Sequence, residues 1–135
     1  MSTPPFTVTA MDHIVLRVRD LEAVLHFYGQ VLGLQPERLE AFRRGEAPFP
    51  SLRVSADTVI DLLPVSAPPA EAADLDHFCL VLATEDVAGL VAYLRAHGVP
   101  VEEGPVPRWG ARGMGTSVYC RDPENRRLEL RTYPG

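Results

Sequence analysis

The sequence contains no lysine, because all 13 of its basic residues are arginine. This absence excludes a Schiff-base lysine and a phosphate-binding loop that ends in lysine. The 18 acidic residues leave a formal net charge of −5. An acidic balance of this kind disfavours a general nucleic-acid surface or a surface for anionic membranes, since both require a basic field.

Cysteine is also scarce, with only Cys79 and Cys120 in the chain. Two cysteines are too few for a disulfide scaffold or a four-cysteine zinc site, so we expect a reducing, cytoplasmic environment. No apolar run is long enough to span a bilayer, and the first residues lack the basic and apolar regions of a signal peptide. The 135 residues, 46% of them hydrophobic, predict one ordinary domain with a packed core.

The chain contains an internal repeat. The segment Met11–Leu16 (MDHIVL) resembles Leu75–Leu80 (LDHFCL), and each copy is followed by a helical stretch with one apolar face. Each helical stretch closes on a glycine, Gly33 or Gly98, with a proline shortly after it. Short strands are predicted after each helix, at 51–56 and 58–63 in the first copy and at 116–121 and 126–132 in the second.

This repeat predicts an α+β fold built from two βαβββ modules. We expect a single domain over residues 8–135, with an N-terminal module at 8–64 and a C-terminal module at 75–133. The segment 65–74, rich in proline and alanine, is predicted to be the linker. Two copies are too few for a solenoid, so we expect the modules to share one sheet system in the form of a half-open barrel.

Alternation along the predicted strands assigns four potential metal ligands to one face. In the first strand His13 alternates with apolar residues and therefore faces away from the predicted helix. The same parity places Asp61, His77 and Glu129 away from the helices. Two imidazoles and one or two carboxylates on a shared face suit Fe, Mn, Ni, Co or Zn as a divalent ion.

A structural interpretation of the same residues stays open. A histidine at the start of a strand is more often structural than a ligand, and a glutamate in the last strand can point to water. Repetition of the Asp-His pair in both copies favours the metal site. The reach of Asp61 is the open question, because aspartate is one methylene shorter than glutamate.

A glycine-rich segment, residues 107–115, carries Arg108, Arg112 and the only tryptophan, Trp109. We interpret it as a lid that binds an anionic substrate, with a flexible hairpin connection as the alternative. Tyr119 follows it and either donates a hydrogen bond to a bound oxygen or is a half-buried strand aromatic. The sequence at 122–125 is typical of a β-turn that positions the last strand. Cys79 is interpreted as a buried, inert thiol.

The sequence resembles the vicinal oxygen chelate superfamily, which includes glyoxalase I, fosfomycin-resistance proteins, bleomycin-resistance proteins and extradiol dioxygenases. The resemblance rests on DHIVL at 12–16, FYGQVLGL at 27–34, DH at 76–77 and SVYCRDPENRRLEL at 117–130. The stretch VEEGPVPR at 101–108 also resembles a glyoxalase-domain branch of the superfamily.

The resemblance implies a metal triad of His13, His77 and Glu129, and it matches Asp61 to the position of a fourth ligand in glyoxalase I. It matches Ser117 and Tyr119 to residues near the substrate in fosfomycin-resistance proteins. It also implies a homodimer, often with each site built from both chains. Single-chain ring-cleaving dioxygenases usually carry two such module pairs and an additional catalytic histidine, which this sequence does not offer.

We therefore predict a metal-dependent enzyme of the glyoxalase type that activates adjacent oxygens of a small molecule, by isomerisation or nucleophilic addition. Glu129 and Tyr119 are the predicted catalytic residues, with Glu129 or Asp61 as the base. Arg108, Trp109, Ser117 and Tyr119 are predicted to contact the substrate. One alternative is a non-catalytic protein that binds a drug or metabolite. The other is an Fe(II) extradiol-type dioxygenase.

Overall fold

The computed structural model describes residues 3–31, 33–66, 75–121 and 127–135, apart from the side chain of Phe27. The first half contains β1 (Thr7–Val18), α1 (Leu21–Leu25) continued by a π-helical segment (His26–Val31), β2 (Gln35–Glu37), α2 (Leu39–Arg43), β3 (Ser51–Arg53) and β4 (Val59–Pro64). The second half contains β5 (Leu75–Ala83), α3 (Val87–Ala96), β6 (Val101–Gly110), β7 (Gly113–Arg121) and β8 (Arg127–Thr132). The predicted turn at 122–125 and residues 67–74 of the predicted linker lie outside the described residues.

All eight strands form one mixed sheet in the order β2-β3-β4-β1-β5-β8-β7-β6. The order is symmetrical about the central antiparallel pair of β1 and β5, since β1 pairs in parallel with β4 and β5 pairs in parallel with β8. The edge strands β2 and β6 are not hydrogen-bonded to each other, so the sheet is open. It is also curled, because Arg38, directly after β2, stacks on Trp109 of β6 with 4.4 Å between guanidinium carbon and ring centroid. The predicted α+β fold and half-open barrel are confirmed.

The helices cover the convex face of the sheet, and capping residues mark their ends. The Asp20 carboxylate accepts a hydrogen bond from the backbone at the start of α1, and Asp86 does the same for α3. Gly33 and Gly98 adopt positive φ angles of 83° and 73°, as expected of residues that follow a helix end. No helix among the described residues has both the length and the apolar character needed to cross a membrane.

Two apolar clusters lie between the helices and the sheet. One contains Leu16, Val18, Ile60 and Leu62 of the first-half strands, and the other contains Leu80, Leu82, Leu128 and Leu130 of the second-half strands. This is the parity predicted from the sequence. Its consequence is that the alternate residues of β1, β4, β5 and β8 face the concave side of the sheet.

The glycine-rich segment 107–115 forms a tight hairpin, the connection that was predicted as the alternative to a lid. Its residues belong to β6 and β7, which pair up to Gly110 opposite Gly113 and are joined by a turn of only two residues, Ala111 and Arg112. Gly110 allows close packing, and Gly113 adopts a positive φ of 94° directly after the turn. A Cβ on Gly110 would lie 2.6 Å from the guanidinium carbon of Arg131.

Candidate metal centre

The predicted triad converges at the centre of the concave face. The strand register explains this, because His13 of β1 and Glu129 of β8 both stand opposite Cys79 of β5, and His77 lies two residues before Cys79 on the same face. Glu129 Oε1 lies 2.9 Å from Nε2 of His77 and 3.1 Å from Nε2 of His13. Three residues far apart in the sequence thus present one oxygen and two nitrogens to a common point.

Each imidazole is oriented by the aspartate that precedes it. The Nδ1 atoms of His13 and His77 lie 2.8 Å from carboxylate oxygens of Asp12 and Asp76 respectively. A carboxylate on the outer nitrogen fixes the ring and turns the other nitrogen toward the site, as seen around metal-bound histidines. A register shift in β1 between Met11 and His13 accompanies the unusual placement of two consecutive side chains in one site. The repeated Asp-His pair therefore has a structural function in both halves.

Asp61 joins the site from β4 but stands farther away. Its Oδ2 atom lies 3.8 Å from Nε2 of His13, and its Oδ1 atom accepts a hydrogen bond of 2.5 Å from the hydroxyl of Ser51. Burial is the largest effect on the Asp61 carboxyl and raises its pKa above the ordinary value. All four predicted ligands thus face one cavity, with Asp61 outside the close triad.

The electrostatics of the triad favour positive charge where the two Nε2 atoms meet. Burial opposes the protonation of His13, but its hydrogen bonds to Asp12 and Glu129 outweigh burial and raise its pKa to about 12. The pKa of His77 is also raised, against the effect of burial, by Asp76 and Glu129. Burial would raise the pKa of Glu129, yet the hydrogen bonds from both histidines and Ser117 hold it far below its usual range. Protons and a cation therefore compete for the same place.

A buried arginine, which the sequence analysis did not identify as a site residue, fixes the second oxygen of Glu129. Glu129 Oε2 accepts hydrogen bonds from Ser117 Oγ at 2.6 Å and from Arg131 Nη2 at 3.0 Å. Arg131 is fully buried and also donates to the carbonyl oxygens of Arg108 and Trp109, at 2.8 and 3.0 Å. These bonds leave Oε1 of Glu129 directed at the imidazoles. The inward parity of Arg131, two residues after a predicted ligand, was the available signal.

A cavity of about 210 Å³ opens above the triad. Trp109, Arg108 and Tyr119, which were predicted to contact the substrate, line it, whereas Ser117 is fully buried and uses its hydroxyl on Glu129. Phe49, which no periodic pattern indicated, also lines the cavity. The complete lining is His13, Val15, Phe49, Asp61, Leu63, Asp76, His77, Arg108, Trp109, Tyr119, Glu129 and Arg131.

Two further groups near the triad are neutral at physiological pH. Burial raises the pKa of Tyr119 to about 12, so its phenol keeps the proton that it can donate. The ring of Tyr119 lies edge-on to the ring of His77, with 5.7 Å between centroids. Burial also raises the pKa of the Cys79 thiol to about 11, which supports the predicted inert thiol rather than a thiolate ligand.

Comparison with known proteins identifies the family. The model of the Glyoxalase/Bleomycin resistance protein/Dioxygenase superfamily matches residues 10–130. The chain belongs to this superfamily. Among curated proteins, it is 30% identical over 128 residues to the virulence protein STM3117 of Salmonella typhimurium, covering 93% of this chain and 85% of the relative. It is also 30% identical over 127 residues to the glyoxalase domain-containing protein RDO1 of Mycosarcoma maydis, covering 94% and 70% respectively.

Solved structures of the superfamily show the same fold. Methylmalonyl-CoA epimerase from Mycobacterium tuberculosis aligns with a TM-score of 0.65 at 17% identity, over 99% of this chain and 94% of that one. The 2,3-dioxygenase LapB from Pseudomonas sp. KL28 aligns with a TM-score of 0.66 at 20% identity, over 95% of this chain and 43% of that one. At these identities the likeness concerns the fold alone.

Proposed function

We propose that this superfamily member is a divalent-metal-dependent enzyme that acts on a small molecule with two adjacent oxygens. The observation that carries the proposal is the convergence of His13, His77 and Glu129, each oriented by a partner on its far side. Members of the superfamily usually use divalent metals. The chemical class of the reaction that this geometry favours is a glyoxalase-like isomerisation by proton transfer.

The donor set fits a divalent cation. Ligand atoms bound at about 2.1 Å and at right angles to one another stand about 3 Å apart. The Oε1 atom of Glu129 lies at 2.9 and 3.1 Å from the two imidazole nitrogens. Two imidazoles with one carboxylate suit Fe, Mn, Ni, Co or Zn. Such a cation would supply Lewis-acid polarisation of the two substrate oxygens.

Asp61 is the best candidate for the base. Its carboxyl is buried, its pKa is raised, and its Oδ2 atom carries no hydrogen bond among those of the described residues. Glu129 is a weaker base in this arrangement, because four donors surround its two oxygens and its pKa is lowered. We therefore assign Asp61 to the removal and return of a proton beside the polarised oxygens, with Oδ1 held by Ser51.

The walls of the cavity contribute positioning and exclusion of water. The Tyr119 phenol is a proton donor for a substrate oxygen, and Phe49 and Trp109 provide apolar surface that keeps the reacting carbon dry. Arg108 lines the cavity and offers a positive charge to an anionic substrate. Glu129 keeps the triad assembled and does not need to move.

Metal analysis of the purified protein tests the proposal. After reconstitution we expect about one divalent ion per chain, and less than about a tenth of an ion would overturn the enzyme proposal. His77→Ala should abolish binding, whereas His26→Ala, at an exposed position, is the matched control and should bind fully. Exchange of substrate C–H for solvent deuterium, followed by NMR over a panel of small 2-hydroxy carbonyl compounds, then tests proton transfer.

A non-catalytic binding protein is the second candidate, and the aromatic walls of the cavity favour it. Phe49, Trp109 and Tyr119 would hold a flat drug or metabolite without any reaction. This function predicts tight binding of such molecules by protein that retains no metal. Equal affinity before and after removal of metal would favour it over the enzyme.

An Fe(II) extradiol-type dioxygenase is the third candidate, since two histidines and one carboxylate form the ligand set of many non-haem iron oxygenases. It predicts oxygen consumption with catechols in the presence of ferrous iron. An oxygen electrode distinguishes it from an isomerase, which consumes no oxygen.

We further propose a cytoplasmic homodimer of two-module chains, in which 8–64 and 75–133 are the modules, and light scattering tests the dimer.

A further inference from the structure

The size of the cavity limits what the proposed active site can hold. Its volume of about 210 Å³ is below the roughly 300 Å³ at which pockets for drug-sized ligands begin. The triad lines the cavity together with three aromatic residues, Phe49, Trp109 and Tyr119. Aromatic walls of this kind favour a flat ligand, because rings and planar groups stack on them. The cavity is therefore suited to a compact, planar molecule rather than a large thioester or a tripeptide conjugate.

A positive charge lies against two aromatic residues of the cavity wall. The guanidinium carbon of Arg38 lies 4.4 Å from the ring centroid of Trp109 and 5.6 Å from that of Phe49, and both rings line the cavity. Arg38 adopts a left-handed backbone conformation, φ 60° and ψ 14°, which residues other than glycine rarely adopt. The backbone thus turns Arg38 toward the opposite edge of the sheet at an energetic cost.

The contacts of Arg38 leave its donors available. Within the described part of the chain, no carboxylate lies within ion-pair distance of Arg38, whereas Arg108 pairs with Glu103 at 2.8 Å. Stacking uses the flat face of a guanidinium, and its N–H donors point outward in the plane of the group. A carboxylate is the group that matches this planar fork with two parallel hydrogen bonds.

We propose that Arg38 binds the carboxylate of the substrate, and that the substrate is a compact, flat organic acid. The inference rests on the proposed function in taking this cavity as the substrate site. The acid group lies beside Arg38 at the cavity edge, and the rest of the molecule extends between the aromatic walls toward the triad. Arg38 is thereby a specificity-determining residue from the first half of the chain, opposite Trp109 of the second half.

The single tryptophan gives a direct test, since Trp109 lines the cavity and its fluorescence reports on a ligand there. The probes are benzoate and benzamide, which share a shape and differ in charge, titrated into the full-length protein after removal of metal by a chelator. We expect benzoate to bind about tenfold more tightly than benzamide, as charge-assisted pairing predicts. R38N should remove this preference, and R38K, which keeps the charge without the planar fork, should retain part of it.

R112N is the matched control. Arg112 stacks on Tyr133 at the same distance, 4.4 Å, but neither residue lines the cavity. It should keep the full preference for benzoate. Asparagine suits position 38 because it tolerates the left-handed conformation, and thermal unfolding verifies that R38N is folded.

The proposal is overturned if wild-type protein binds the two probes equally, if it binds neither, or if R38N keeps the preference. These outcomes are independent of the proposed metal chemistry, because the probe lacks adjacent oxygen-bearing carbons and the protein is metal-free. A protein that prefers benzoate through Arg38 and takes up no metal would support the acid-binding site and refute the enzyme.

Discussion

The two halves of the sheet place a carboxylate at the same position and surround it differently. Asp61 stands opposite Val15 of β1, and Glu129 stands opposite Cys79 of β5, two residues after the histidine in each strand. Both accept a hydrogen bond from a serine of the neighbouring antiparallel strand. The longer Glu129 reaches both imidazoles, whereas Asp61 stops at 3.8 Å from His13. The extra methylene of glutamate thus lets Glu129 join the triad, whereas Asp61 remains beside it.

The two halves also differ at the residue that lies two positions after each carboxylate. Arg131 follows Glu129 and donates to it at 3.0 Å, whereas Leu63 follows Asp61 and offers no charge. Burial acts to raise the pKa of both carboxyls, but the hydrogen bonds of Glu129 to His13, His77 and Ser117 lower its pKa, whereas the pKa of Asp61 stays raised. This difference is the basis of our proposal that Glu129 holds a cation and that Asp61 accepts a proton.

The largest expected effect comes from removing the guanidinium that distinguishes the halves. Arg131→Met removes the buried donor to the carbonyl oxygens of Arg108 and Trp109, and it leaves Glu129 Oε2 with Ser117 alone. We expect a loss of about 3 kcal/mol in the free energy of unfolding. Urea denaturation measures it. Leu63→Met, at the equivalent position, is the control and should cost less than about 1.5 kcal/mol. Equal losses in both variants would show that Arg131 has no special role.

The second-largest expected effect is on metal affinity, which should distinguish Glu129 from Asp61. Glu129→Gln should weaken metal binding at least about 100-fold, because it removes the anionic oxygen between the two imidazoles. Asp61→Asn should weaken binding by less than about tenfold while abolishing proton exchange. Competition with a chromogenic chelator gives both affinities. A comparable loss in the two variants would make Asp61 a fourth ligand and not a base.

The alternation of residues along the strands was enough to predict that four candidate ligands share one face, and the family resemblance singled out three of them. Parity and the repeat together placed His13, His77, Asp61 and Glu129 on one face, since a strand of period two leaves no other arrangement once its apolar face is assigned. Parity does not depend on which strands are neighbours. For that reason the residues that share the concave face were predictable before the geometry of the site was known.

Features that depend on register and curl were not accessible. Phe49 lines the cavity, and Arg38 contacts its wall at Trp109, because the sheet bends until its two edges approach each other, and local sequence does not encode that bend. The pairing of 107–115 as a tight hairpin was not accessible either, because glycine content does not show which strands pair. Gly110 leaves room for Arg131 and Gly113 adopts a φ of 94°, and a sequence pattern reveals neither without the pairing of β6, β7 and β8.

The glycine cradle of Arg131 gives a smaller effect. Gly110→Ala would place a Cβ 2.6 Å from both the guanidinium carbon of Arg131 and Oδ1 of Asp12, and we expect it to cost about 1 to 3 kcal/mol. Gly29→Ala is the control, because the nearest atom to its Cβ would be 3.7 Å away in a helical segment. Differential scanning calorimetry compares the two variants. An unfolding temperature of Gly110→Ala equal to that of wild type would contradict the packing role.

The smallest predicted effect concerns the stability of the metal-free protein. Removing the charge of Asp61 and removing the charge of Glu129 should change the free energy of unfolding in opposite directions. The folded pKa of Asp61 is raised, so its ionisation opposes folding at pH values above the unfolded value of 3.8. Asp61→Asn should therefore stabilise the metal-free protein at pH 7, and the gain should vanish as the pH falls below about 4, where the carboxyl is protonated in both states. The folded pKa of Glu129 is lowered, so its ionisation supports folding above 4.5, and Glu129→Gln should destabilise at pH 7. Urea denaturation at several pH values checks both signs, and a destabilised Asp61→Asn at pH 7 would mean that its attraction to His13 outweighs the cost of burial.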